Sequence, residues 1–270
     1  MGLVNHPWVL GLAALLALAE YGWRRRSGRS YDLGEAAASL KVALVQLAVR
    51  PLNLMATTAV LTQVARLAPW HWPLGDWRAW AAGFVLVELA YYGFHRASHR
   101  IAWMWATHSV HHSASQMVLP AAVRLGWSEF VSLGWLAFVP LVLVGVPPQM
   151  IGALLGLGLA YQYLLHTEAP VALGWLEWVL NSPAHHRAHH SCDEGLLDCN
   201  FGGVLIVFDR LFGTFRAAAA GQPLHYGLAN RPAPRGLWAI GLGEWGRLLG
   251  RLRAAAGWAQ RLRVALGPPA

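Results

Sequence analysis

Residues 80–99 read WAAGFVLVELAYYGFHRASH. The apolar run from Trp80 to Phe94 ends directly at His95, and His99 follows four positions later. Extended back to Trp77, the run can cross a bilayer, for which about 20 residues suffice. Residues four apart share one face of a helix, so both imidazoles leave the end of a hydrophobic rod in the same direction. The stretch predicts helices, a membrane around them, and chemistry at their ends.

Four other runs are apolar. Residues 8–23, WVLGLAALLALAEYGW, are followed at once by RRRSGR. The positive charges lie after the apolar core and no small-residue cleavage site is evident, so this reads as a retained helix, not a signal peptide. Residues 36–67 are long enough to cross but carry Lys41, Arg50 and Pro51, and the proline predicts a kink. Residues 130–146 stop at Pro147-Pro148, and residues 150–165 end directly at His166. Arg24, Arg25 and Arg26 place the end of the first run in the cytoplasm. The runs then alternate: the loop 71–77 and the Pro-Pro turn face outward, and His95 and His166 face inward.

The expected fold is all-α: a polytopic membrane protein of about four to five transmembrane helices under a cytoplasmic helical cap. Its expected divisions are N-terminal membrane helices (1–79), a catalytic domain (80–216) and a cytoplasmic tail (217–270). Residues 244–266 interleave Leu248, Leu249, Leu252, Trp258 and Leu262 with Arg247, Arg251, Arg253, Arg261 and Arg263. That pattern reads equally as a basic helix on anionic lipid or as a helix packed on the domain.

Composition agrees with a membrane protein. Only 13% of residues are charged, against about 25% in soluble domains, and the mean hydropathy is +0.38. The net charge of +8 comes from arginines flanking apolar runs, which fits the positive-inside rule better than nucleic-acid binding. Cys192 and Cys199 are too few for a disulfide framework and read as reduced thiols.

Ten of the 13 histidines fall between residues 95 and 190. His95 and His99 are spaced H-x3-H. His108, His111 and His112 are spaced H-x2-H-H, and His186, His189 and His190 repeat that spacing. His166 adds a ninth candidate at a helix end on the same side. One structural zinc takes four ligands, so nine imidazoles suit two metals. Imidazole serves iron, copper, nickel and zinc alike, so spacing leaves the metal open. His185, about 100° from His186 around a helix, is a candidate for a supporting or substrate-side role. His6, His71 and His225 lie outside the pattern.

The blocks ELAYYGFHRASH, WATHSVHHS, YLLHTE, NSPAHHRAHH and GGVLIVFDRLFGTF, over about residues 80–216, resemble the fatty acid hydroxylase and sterol desaturase superfamily, in its alkylglycerol monooxygenase-like branch. The resemblance implies a non-haem di-iron enzyme of the membrane that hydroxylates or desaturates a lipid C–H bond with dioxygen and two electrons. It implies His95, His99, His108, His111, His112, His166, His186, His189 and His190 as ligands. Some fatty acyl hydroxylases of the superfamily carry a further histidine where this chain has Gln162. Glu88, Glu168 and Asp209 are candidates to accept N–H groups from ligating imidazoles. With His185, Glu88 and Asp209 form the candidate catalytic set beyond the ligands. Arg124 and Asn200 match the family blocks without an assignable role. Trp103 and Trp105 fit an interfacial belt guiding a headgroup.

No nucleotide fingerprint or haem motif is present, so electrons come from outside: a reductase, a ferredoxin or, by resemblance, a reduced pterin. The expected partners are a membrane lipid and this donor, with no nucleic acid. The expected location is a multi-pass position with a cytoplasmic active site, in the inner membrane if the source is bacterial. The competing reading is a zinc-dependent membrane hydrolase or another membrane metal-binding protein, including a transporter. A transporter would place its ligands near the bilayer midplane, and these sit at helix ends.

Overall fold

A computed structural model describes residues 7–219 and 221–269; His6 lies outside the described residues. In chain order the helices are α1 (Pro7–Arg26), α2 (Leu33–Ala65), α3 (Trp77–Arg100), α4 (Ala102–His112), α5 (Val139–Leu143), α6 (Pro148–Leu165), α7 (Pro183–His190), α8 (Val207–Leu211), α9 (Leu237–Ala254) and α10 (Trp258–Leu266). The described residues form no strand, only two isolated bridges, Leu180 with Leu205 and Ser191 with Tyr226.

Local chemistry sets the helix starts. The Asp32 carboxylate accepts from the amides of Gly34 and Glu35 (2.7 and 3.2 Å) and opens α2. Asp76 does the same for α3 through Arg78 (2.8 Å). These side-chain oxygens satisfy amides that have no partner within the helix. Pro148 opens α6, where its missing N–H costs nothing. At 1.5 Å per residue, α1, α2, α3 and α6 are about 30, 50, 36 and 27 Å long. Among the described residues α2 alone is both long and apolar enough by composition to cross a bilayer.

The run 130–146 departs from expectation. It is not one spanning helix but a 3-10 segment, Gly134–Phe138, continuing into α5. Together these cover 134–143, about 15 Å of helix, half a bilayer. Leu133 takes a left-handed backbone (φ 64°) just before the segment, and Gly145 (φ 91°) ends it. The segment packs into a core with α3, α6 and the end of α2, built on Leu61, Val87, Phe138, Val142, Met150 and Leu154. At Gly83 a Cβ would sit 2.8 Å from the Met150 sulfur, so glycine permits the close approach of α3 to α6.

The two ends of the bundle differ. At one end the Trp70 and Trp72 indoles donate to the Val144 carbonyl (3.0 and 2.9 Å), joining the loop before α3 to the turn before α6. At the other, the C-terminal ends of α1, α3 and α6 meet. There Glu20 accepts from the Leu119 amide (2.7 Å) and from Thr167, and Arg24 pairs with Glu168 (3.1 Å). The tail divides into two helices. Helix α9 packs on α4 through Trp245 and Leu248 against Ala102 and Ala106, and on α2 through Ile240 near Val42. Helix α10 buries no residue.

Candidate metal centre

Four segments meet at the second end of the bundle. Helix α3 delivers His95 and His99, α4 delivers His108, His111 and His112, the C-terminus of α6 delivers His166, and α7 delivers His186, His189 and His190. The imidazoles form two groups. His95, His99, His108, His112 and His189 make one; His111, His166, His186 and His190 make the other. Within each group the candidate nitrogens lie within 4.8 Å of one another. The rings of His112 and His190 stack at 4.3 Å and join the groups.

The backbone fixes which nitrogen faces inward. His95, His166 and His189 each direct Nδ1 at a carbonyl 2.7 Å away, those of Phe201, Gln162 and Cys199. His111 Nδ1 faces the Arg124 carbonyl at 3.3 Å. A carbonyl only accepts, so each Nδ1 carries the proton and each Nε2 presents a bare lone pair. The bare Nε2 atoms of His111 and His166 then face each other at 3.2 Å. In a protonless buried pocket two lone pairs repel at that distance. Nitrogens about 2.1 Å from one metal, at angles from 90° to tetrahedral, stand about 3.0–3.4 Å apart. His95 with His108 (3.0 Å) and His166 with His186 (3.1 Å) match the same spacing. The Nε2 atoms of His99, His112, His189 and His190 are buried without any hydrogen-bond partner. This donor set fits a pair of metal ions.

Burial keeps these rings neutral. Loss of solvent, then the neighbouring His166, pushes His111 from 6.5 to about 3. Burial likewise takes His189 to about 3 and holds His112 and His190 well below their ordinary value. A neutral imidazole is the ligating form. For groups lowered on folding, the unfolded chain takes up protons first as pH falls, so stability present above 6.5 is lost on the way down towards about 3. The metal-free protein is therefore expected to lose thermal stability steadily below about pH 6.5, read by melting curves across pH. A flat profile from pH 7 to about 4 would contradict the burial of these rings.

The supporting carboxylates sit one step further out than the sequence predicts. Glu88 does not touch an imidazole; it accepts from the amides of Val204 and Leu205 (2.7 and 2.8 Å) and ties the 202–205 loop to α3. Asp209, fully buried, accepts from the Phe201 and Gly202 amides (2.7 Å each) and the Thr214 hydroxyl (2.6 Å). The Phe201 carbonyl in turn receives His95 Nδ1, so Asp209 orients the His95 imidazole through one peptide. Glu168 is Arg24's partner instead. Beside the first group, Asp198 lies 3.4 Å from His99 Nδ1 and pairs with Arg100 (3.2 Å), a contact that spacing does not announce.

His185 belongs to neither group; its ring stands edge-on to Phe215 (5.1 Å). The Gln162 side chain accepts from the Tyr91 hydroxyl (2.7 Å), while its carbonyl holds His166. The Trp105 ring lies 5.2 and 5.6 Å from those of His99 and His112. Trp103 donates to the Val131 carbonyl (2.8 Å) and meets Trp245 edge-on. Arg124 is fully buried, pairs with Glu35, and bonds Ser39 and Ser113 while its carbonyl holds His111. Asn200 clips the His185 carbonyl to the Arg216 backbone (3.0, 2.7 and 2.9 Å). His225 meets Asp193 (2.8 Å) outside the centre. Both cysteines are free thiols, and burial pushes Cys199 up to about 12, unsuited to metal binding as thiolate.

Gly202 closes the loop tightly. A Cβ there would meet the Leu205 carbonyl at 2.3 Å. Gly202→Ala is expected to displace the adjacent Phe201 carbonyl and to weaken metal retention by about 10–100-fold, the cost typical of lost outer partners. Metal retention against a chelator checks this; unchanged retention would remove the loop from the centre's support.

A fatty acid hydroxylase family model matches residues 80–214. Among curated proteins, the chain is 33% identical over 239 residues to an alkylglycerol monooxygenase of Danio rerio, covering 87% of the chain and 51% of the relative. It is 39% identical over 162 residues to an alkylglycerol monooxygenase of Homo sapiens, covering 60% and 35%. It is 25% identical over 234 residues to an ornithine lipid hydroxylase of Rhizobium tropici, covering 83% and 69%. The chain thus matches about half or less of those alkylglycerol monooxygenases. No solved structure matches.

Proposed function

Because the chain belongs to the fatty acid hydroxylase family, we propose that it is a membrane non-haem di-iron oxygenase that hydroxylates or desaturates a lipid C–H bond. The observation that carries this is the division of nine imidazoles, eight buried and His108 half-buried, into two groups with converging bare nitrogens. Neither group contains a carboxylate, whereas a hydrolytic zinc site works with an open position and a nearby carboxylate base. Iron is the reading for this shell on the strength of the family and its monooxygenase relatives. Two irons held here supply, with dioxygen and two external electrons, the power to oxidise an unactivated C–H bond.

The protein's own groups do the rest. His95, His99, His108, His112 and His189 would hold one metal, and His111, His166, His186 and His190 the other. The Phe201, Arg124, Gln162 and Cys199 carbonyls keep the protons on Nδ1 and aim Nε2 inward. Phe201, fully buried beside His95, His99 and His189, keeps water from that side. Asp209 and Glu88 fix the loop carrying Phe201.

We place the site on the cytoplasmic face of a multi-pass protein with 80–216 as its catalytic unit. Support comes from exposed Leu10, Leu15, Leu18, Leu40, Leu44 and Leu47 on α1 and α2, which suit lipid contact, and from the arginines ending α1. Lipid substrate then enters from the bilayer, and a reductase, ferredoxin or reduced pterin supplies electrons. The test is purified protein in lipid nanodiscs: two irons per chain, oxygen uptake that needs reductant and lipid, and product lipid bearing one added oxygen or lacking two hydrogens. Lipid hydrolysis with zinc bound and no oxygen uptake would overturn the reading.

A further inference from the structure

Arg210 belongs to no ligand group, yet its surroundings are specific. Its guanidinium carbon lies 4.4 Å from the Trp178 ring centre and 3.8 Å from that of Phe215. One terminal nitrogen donates to the Glu177 carbonyl (3.0 Å). The Nε is buried without a hydrogen-bond partner. The Glu177 carboxylate accepts from the Leu173 amide (3.2 Å), and Arg210 makes no ion pair among the described residues. Buried polar groups are ordinarily satisfied, and an orphaned guanidinium N–H is a donor prepared for an oxygen. His185 also meets the Phe215 ring, edge to face at 5.1 Å; it is nine-tenths buried and its Nδ1 is likewise unpartnered.

The rim of this corner is apolar. Trp175, Trp178, Leu211 and Phe212 are 77%, 68%, 72% and 49% exposed. Their two segments are tied together by the Leu180–Leu205 bridge and the Ile206 amide donating to Val179 (2.9 Å). Exposed tryptophans around a half-buried arginine suit the level of lipid headgroups, where indoles partition and guanidinium groups meet phosphate. The corner also adjoins the centre. Phe212 stacks on Tyr92 (5.3 Å), one turn before His95, and His185 precedes the ligand His186.

We propose that Arg210, seated against Trp178 and Phe215, binds the phosphate of a lipid headgroup, so that the substrate class is a phosphate-bearing lipid taken from the bilayer interface. This deepens the lipid-oxygenase reading and rests on it for the word substrate; the binding itself does not. The phosphate oxygens meet the Arg210 N–H groups, His185 offers a further donor from its unpartnered ring nitrogen, and the aromatic rim holds the glycerol end of the lipid.

The experiment measures equilibrium binding to the full chain, with and without metal, of three probes: a short-chain phosphatidylglycerol, the matching phosphate-free diacylglycerol, and inorganic phosphate. The wild-type protein is expected to prefer the phospholipid over the diacylglycerol by about tenfold, the size of one charge-assisted hydrogen bond. Arg210→Gln removes that preference while metal content stays unchanged. Arg210→Lys retains part of it. Trp178→Ala weakens both lipids and leaves the preference. A preference that survives Arg210→Gln, or none in the wild type, overturns the site; inorganic phosphate binding as tightly as the phospholipid overturns the lipid as its source. Phospholipid preference with no oxygenase activity would sink the enzymatic reading and leave the site standing.

Discussion

Replacing His189 with alanine is expected to empty the five-histidine site and abolish turnover. His189 occupies the middle of that group: its ring lies 4.5, 4.9 and 4.7 Å from those of His95, His99 and His112. Its Nδ1 is fixed by the Cys199 carbonyl and its Nε2 is buried with no partner in the protein. Alanine deletes a ligand and leaves a hole among neutral rings. Loss of outer partners alone costs about 10–100-fold in metal affinity or activity, so loss of a ligand here should exceed about 100-fold. Metal content per chain should fall from two towards one, because the four-histidine group shares no member with the first. His185→Ala is the matched control: it alters an imidazole in the same helix that joins neither group, and metal content should stay at two. An His189→Ala protein with two metals and full activity would dismantle the ligand assignment.

The second large effect is expected at Asp209. Its carboxylate satisfies two backbone amides and one hydroxyl with no exposure to solvent. Alanine would leave two buried amides unsatisfied, each costing about 1–3 kcal/mol, while the half-buried Thr214 hydroxyl keeps its contact with the Tyr92 hydroxyl (3.1 Å). The expected loss is about 2 kcal/mol or more, visible as a lower midpoint of thermal unfolding. Because the same carboxylate sets the Phe201 peptide that receives His95, metal retention should fall as well. Asp209→Asn keeps the shape and one acceptor and should recover part of both. Stability lost with retention intact would mean that Asp209 holds the loop without acting on the centre.

The gathering of the nine imidazoles into one region was legible because each row obeys helical spacing and His95 and His166 stand at the ends of apolar runs. Spacing also separates His185 from its neighbours, since a residue one position away turns to another side. What spacing cannot show is the division of the second box: His108 and His112 go to one group and His111 to the other, a matter of how α4 lies across α3 and α7. The roles of Glu88 and Asp209 were misread for a related reason. The imidazoles take their fixing bonds from backbone carbonyls, which every residue has, and the carboxylates hold the loop that presents those carbonyls. The same holds for Arg124 and Cys199, whose main-chain oxygens matter to the histidines.

The fold was partly legible. Apolar runs gave α1, α3 and α6 nearly to their ends. The run 130–146 failed because hydropathy does not register the left-handed turn at Leu133 or the break at Gly145, which shorten it to half a crossing. The tail gave no decisive signal either, and the structure divides it: α9 is held against α4 by Trp245, while α10 stays exposed with Trp258, Leu262 and Leu266 outward.

The most direct measurement is X-ray absorption at the metal edge on the purified, metal-quantified protein. Two irons per chain are expected, in a shell of light nitrogen and oxygen atoms with imidazole back-scattering and no sulfur. One metal per chain, or sulfur from Cys192 or Cys199 in its shell, would contradict this.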